Sequence, residues 1–180
     1  MSQRVYAGDV FESPAFDLRA EVLETNQDLL RAETFVGRRG NGGPLHRHLR
    51  QEERFQVLDG ALRVRQGRRE SRIVEAGQEV RVPAGRPHTF RAVGDGAHFI
   101  AEFRPAYDIA EVFRDVFALS GRGRRGGQPS PRDAATLIQR YPEDFFYLAY
   151  IPIGVQRALA HLLVRRSDDD GRTPDAHRPR

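Results

Sequence analysis

The chain contains no cysteine, which excludes disulfides, thiolate metal sites, redox dithiols and cysteine nucleophiles together. It also lacks lysine, since all 29 basic residues are arginine, and lysine Schiff-base and pyridoxal chemistry go with it. Any metal must therefore be held by imidazole and carboxylate. Arginine in place of lysine also explains a pI near 10.1 at a formal charge of only +4. A long uninterrupted apolar run is missing as well. Residues 145–164 come nearest, but Pro152, Gly154, Gln156, Arg157 and His161 interrupt them. Such residues are costly at a membrane centre, so a helix packed on protein, not a membrane span, is expected. Apolar continuity breaks at once after Met1, in Ser2-Gln3-Arg4-Val5-Tyr6-Ala7-Gly8-Asp9. No secretory leader is read there, and a cytoplasmic location is expected.

What is present fits a turn-rich globular chain: 180 residues, 39% hydrophobic and 30% charged, with 17 Gly and 11 Pro. That length suits one domain with appendages. From about residue 15 to 104, short alternating or β-branched runs are separated by Gly, Pro, Asn and Asp, the rhythm of an all-β barrel or sandwich. The spacing predicts strands over 30–37, 53–58, 61–65, 71–75, 79–82, 88–93 and 97–104. Asp59-Gly60 reads as a two-residue hairpin turn between the second and third of these. After Pro105, Ile109, Val112, Phe113, Val116 and Phe117 fall on one helical face. A glycine- and arginine-rich linker follows over 121–127. Ser130 is placed to N-cap a helix over 131–140 with Pro131 in its first turn. A further helix is expected over 143–165, interrupted near Pro152, and the tail from Ser167 is expected to be disordered. The organisation predicted is a barrel over 1–105, a helical extension over 106–166 and a tail over 167–180.

Two glycine-punctuated segments hold three of the six histidines. In the first, His46 and His48 stand two apart, so on a strand both side chains leave the same face and can address one ion. Glu53 lies an odd five residues after His48, so the chain must turn within residues 49–51 before Glu53 opens the next strand. With Glu53 inward, Phe55 and Val57 are inward too, while Arg54 and Gln56 face out, which favours Glu53 over Glu52 as the interior carboxylate. In the second segment Pro83 and Gly85 end one strand and turn the chain, so that His88 enters on another. Taken singly, each histidine is better explained by a hydrogen-bonded place in a core or turn; it is the four residues in register with their glycines that favour a metal. Phe55 and Phe90, two residues from Glu53 and His88, either wall a pocket or pack in the core. His98 has no assigned face, and His161 and His177 read as structural or solvent-exposed.

The first segment resembles the first cupin motif, in which Gly40, His46, His48, Glu53 and Gly60 fill every fixed position. The second resembles the other cupin motif through Gly77, Pro83, Gly85 and His88, with Ala92 where the family has asparagine. The resemblance implies an all-β double-stranded β-helix, the cupin or jelly-roll barrel, with a C-terminal α-helical extension. It implies one divalent transition metal held by His46, His48, Glu53 and His88. Imidazole and carboxylate donors suit iron, manganese, nickel, copper or zinc. The function expected is a metal-dependent enzyme on a small organic molecule, dioxygenase-like or an isomerase or cyclase. In that reading Glu53 alternates between ligand and general base, and Phe55, Val57 and Phe90 line the pocket. The rivals are a non-catalytic binding or sensing cupin, and an interaction protein whose working surface is residues 145–164. A homodimer is expected by analogy. Nucleic acid is not expected, because 25 acidic residues dilute the arginines and Arg122, Arg124 and Arg125 read as a solvated linker.

Overall fold

The computed structural model describes residues 4–120 and 129–170. The basic linker, including Arg122, Arg124 and Arg125, and the end of the tail, including His177, lie outside the described residues. Nine strands and three helices follow in order: β1 (Val10–Ser13), β2 (Leu18–Thr25), β3 (Leu30–Gly37), β4 (His46–Arg47), β5 (Glu52–Gln66), β6 (Glu70–Glu75), β7 (Glu79–Val82), β8 (His88–Arg104), α1 (Ile109–Ser120), α2 (Pro131–Arg140), β9 (Tyr147–Leu148) and α3 (Ile153–Asp170).

All strand pairings are antiparallel, and β8 is the central strand, bonded to β3 on one side and to β5 on the other. β1, β2 and β3 continue one side as a meander, while β6 and β7 pair with successive halves of β5. Period-2 alternation assigns the faces. Leu30, Ala32, Thr34 and Val36 of β3 point inward, and Phe35 points out.

The expected Asp59-Gly60 hairpin is corrected: residues 53–58 and 61–65 are two halves of one bent strand, β5. The ladder slips at Val57/Asp59 and again at Gly60/Ala61. The slip changes parity, so that Glu53, Phe55 and Val57 are buried before it and Leu62 and Val64 after it, which is what an inserted bulge residue does. Only glycine is tolerated at the bend. Gly60 has φ +71°, and a Cβ there would stand 2.3 Å from the Gly96 carbonyl oxygen. β8 bends in the same place, joining the two strands predicted over 88–93 and 97–104 into one.

The helical extension packs on this barrel. Ile109, Val112 and Val116 of α1 are buried, and Phe113 and Phe117 meet Phe103 and Phe11 at ring-centroid distances of 5.0 and 6.0 Å. α2 starts as the sequence predicts: Ser130 is the N-cap with Pro131 at the first turn, and a reciprocal capping box joins Ser130 and Asp133, satisfying donors that the first helical turn leaves open.

The helix expected over 143–165 is corrected in its first half. Pro142 and Pro152 bracket a non-helical segment whose middle is β9, which adds to β4 through His46↔Leu148 and Arg47↔Tyr147. The buried Gln156 side chain donates to and accepts from the backbone of Leu148, at 3.0 Å each way, taking the place of a further strand. α3 begins directly after Pro152, whose carbonyl accepts from Gln156 N–H, and continues to Asp170. No helix among the described residues is long and apolar enough to cross a membrane.

Candidate metal centre

β4 carries His46, and the chain turns immediately after His48, whose carbonyl is held by the Gly85 N–H at 2.6 Å. Glu53 then enters at the start of β5 facing inward. His88, the first residue of β8, stands opposite His46 in the β4–β8 pairing. Three segments distant in sequence are thereby brought to one end of the barrel interior. His46, His48 and His88 each offer a nitrogen, all lying within 4.8 Å of one another, and the three residues are 8%, 2% and 2% exposed. Glu53 stands beside them: its Oε2 is 2.6 Å from His88 Nε2 and 3.7 Å from His48 Nε2.

The second ring nitrogens decide how these imidazoles present themselves. His46 Nδ1 lies 2.8 Å from the Pro44 carbonyl oxygen and His88 Nδ1 2.9 Å from that of Arg86. A carbonyl only accepts, so Nδ1–H donates in both, and Nε2 is the nitrogen turned to the cluster. Burial, with the charge of His88 adding to it, pushes His46 down to about 3, against the opposing Pro44 hydrogen bond. Burial, with His46 and His88 nearby, holds His48 well below the ordinary imidazole value. Burial pulls His88 down too, but the Glu53 carboxylate, by charge and by hydrogen bond, outweighs it and raises the group. Burial thus favours the neutral form of His46 and His48, while His88 is hydrogen-bonded to the Glu53 carboxylate.

This donor set fits a divalent transition metal. Imidazole nitrogens turned inward by outer hydrogen bonds, as in His46 and His88, are what such an ion requires, and the chain offers no thiolate to compete. His46, His48 and His88 are the candidate ligands that the structure brings together.

The histidine cluster sits at one end of a cavity of ≈ 120 Å³ whose other walls are almost wholly apolar. Phe55 and Phe90 line it, whereas Val57, completely buried, packs in the core and is not among the lining residues. His98 faces away: it stacks on Phe35 at 4.2 Å and reaches Glu33 Oε1 at 2.8 Å on the outer surface. His161 is exposed on α3.

Two participants come from the extension and have no signature in the sequence. Phe146 sets its ring against His46 and His48, with centroids 5.3 and 6.3 Å away. Asp144, 4% exposed, accepts from Arg50 at 2.7 Å and from the Gln51 amide at 2.6 Å. The extension therefore grips the very turn that separates His48 from Glu53. Contacts across more than ninety positions leave no local pattern to read.

Residues 36–101 match the family model described as the cupin domain. No curated protein matches the chain. Among solved structures, KdgF from Halomonas sp. is similar at 24% identity and TM-score 0.50, over 56% of this chain and 90% of that one. An RmlC-like cupin from Shewanella frigidimarina is similar at 21% identity and TM-score 0.48, over 59% and 96%. At this identity the Halomonas likeness speaks to the fold alone. The family match lies across both histidine segments and most of the bent strands β5 and β8, so residues 36–101 form a cupin domain, which helices continue.

Proposed function

We propose that this chain is a metal-dependent enzyme acting on a small organic molecule, with His46, His48, His88 and Glu53 holding one divalent transition metal. The observation that carries the reading is the convergence of three buried imidazoles, two of them with Nδ1 engaged on carbonyls, at the polar end of an apolar cavity. A bound metal of this kind supplies Lewis acidity or redox chemistry. The protein's own part is distinct. His46 and His48 stay neutral and oriented, and the phenylalanine walls exclude water from the reacting end. Glu53, whose Oε2 stands 2.6 Å from His88 Nε2, is the group able to take a proton from a bound molecule at Oε2. Dioxygenase-like and isomerase or cyclase chemistry both use such an arrangement.

Elemental analysis of untagged protein, before and after reconstitution, tests the centre: about one equivalent is expected, and well under one after reconstitution would sink it. Incubation of the loaded protein with candidate substrates, with and without oxygen, then separates turnover from simple ligand capture. Ligand capture without turnover would favour a binding or sensing cupin, for which the same apolar cavity speaks. The homodimer implied by the resemblance belongs to the same proposal, and sedimentation of the purified chain checks it.

A further inference from the structure

Helix α3 is apolar on two faces, and the body of the protein covers one of them. At 3.6 residues per turn, Ile153, Gln156, Ala160 and Val164 fall on the face turned inward. Gln156 and Ala160 are buried there, and Ile153 and Val164 pack against the core. Gln139 of α2 donates to the Ala160 carbonyl at 3.1 Å. Val155, Leu159, Leu162 and Leu163 form a second row, 38% to 58% exposed. Apart from Gln156, the polar side chains of residues 153–165 keep to a third row, Arg157, His161 and Arg165. A helix apolar over most of its circumference is normally a buried one. Here one apolar face lies open.

The exposed apolar residues of this protein are not evenly scattered. Of fourteen large hydrophobic residues exposed among the described ones, seven fall within residues 148–163. They are the four of α3 together with Leu148, Tyr150 and Ile151 just ahead of it. Gln156 fixes that leading segment beside the first turn of α3, accepting from the Leu148 N–H and donating to the carbonyls of Leu148 and Ile151 at 3.0 and 2.7 Å. Single exposed apolar residues are ordinary, but a concentration of them marks an interaction surface. At roughly half exposure each, the seven offer on the order of 600 Å² per subunit, so two such faces together clear the ~1,000 Å² that a specific interface needs.

The rest of the chain supplies no cover, because residues 1–3, 121–128 and 171–180 hold Met1 as their only large apolar side chain. Helices that lie on a lipid surface keep a charged face free on the other side, whereas the inward face of α3 is already packed on the protein. A second α3 fits. Laid antiparallel across a two-fold axis, such a row is its own complement: with Leu159 at the axis, Val155 of one subunit meets Leu163 of the other. Ala158, exposed beside Leu159, leaves room for the helix axes to approach to about 8–10 Å. We propose that this chain forms a two-fold dimer through the outward row of α3, with Leu159 at the axis. This gives the homodimer proposed above its seam, in the helical extension and not in the barrel, and it does not depend on the metal.

Sedimentation equilibrium of the full chain at micromolar concentration tests it, with a mass twice 20.4 kDa expected. Leu159→Glu should weaken association at least about 100-fold, since it sets two carboxylates against each other in a buried seam, and Leu162→Glu should act in the same direction. Ile73→Glu, which alters an equally exposed apolar residue on β6, should leave the dimer intact. A second measurement does not rely on how the variants fold: the melting temperature of the unaltered chain should rise with its concentration, as for any linked association, and that of Leu159→Glu should not. A dimer that survives both α3 substitutions overturns this inference and leaves the homodimer standing with its seam elsewhere. A monomeric unaltered chain overturns both, and its binding to phosphatidylglycerol vesicles would assign the row to a lipid surface instead.

Discussion

Strand β8 carries the histidines of two histidine–glutamate pairs, the glutamates coming from β5 and β3, of the same composition and different fate. At its start His88 meets Glu53 at 2.6 Å with both side chains under 10% exposed, and near the bend His98 meets Glu33 at 2.8 Å with side chains 27% and 32% exposed. The chemistry is the same, but the first pair faces the barrel interior beside two more imidazoles and the second stacks outward on Phe35. The difference is one of parity. Even-numbered residues point inward at the start of β8, as His88 and Phe90 do. Beyond the slipped ladder the odd-numbered ones do, as Phe99, Ala101 and Phe103 show. The bulge that bends the barrel thereby turns His98 out of the cavity. A histidine and a carboxylate in contact do not make a site; burial and a third and fourth donor do.

The largest effect should come from breaking the inner pair. His88→Ala leaves the Glu53 carboxylate buried and unpaired, so metal-free protein is expected to lose about 3–5 kcal/mol in denaturant unfolding. Metal content should fall with it. Glu33→Gln, the matching cut in the outer pair, should leave metal content unchanged and cost at most about 1 kcal/mol. Equal effects from the two substitutions would remove the distinction drawn here.

Acid should act on the inner site next. His46 titrates at about 3 when folded and near its ordinary 6.5 when unfolded, so between those values the unfolded chain binds the extra proton. Stability of metal-free protein should accordingly fall as pH drops from about 6.5 towards 3. His88 contributes in the opposite sense: its raised value adds stability below 6.5 that is lost as pH rises through the folded value. A pH series of melting temperatures, in which His46→Gln flattens the acid limb, checks the assignment.

A smaller effect is expected where the extension grips the site. Asp144→Asn removes the charge that holds Arg50 and Gln51, and should cost about 1–3 kcal/mol. It should also lower metal affinity by loosening the turn between His48 and Glu53, measured by competition with a chelator. If stability falls and metal affinity does not, the extension is only a prop.

Much of the centre was legible because it rests on local rules. Two histidines at i and i+2 share a strand face, a forced turn precedes Glu53, and Pro83 and Gly85 close one strand before His88. The Asp59-Gly60 misreading shows where local rules end. The same dipeptide suits a hairpin or a bulge, and what decides is the Gly96 carbonyl pressing on Gly60 from a strand thirty-odd residues away. The stretch around Phe146 behaves alike. Its composition permits a helix, but pairing with β4 and the pull of Arg50 and Gln51 on Asp144 draw it into a strand.

By itself, then, the sequence determined the donor types, their spacing and the all-β character of residues 15–104, since these follow from side-chain chemistry and period-2 geometry. The tertiary structure alone decided which histidines meet and which is turned outward. It also decided that phenylalanines from the barrel, α1 and the segment after Pro142 close over a single cavity. Those outcomes depend on bends and long-range contacts, whose energies arise between residues that no local pattern connects.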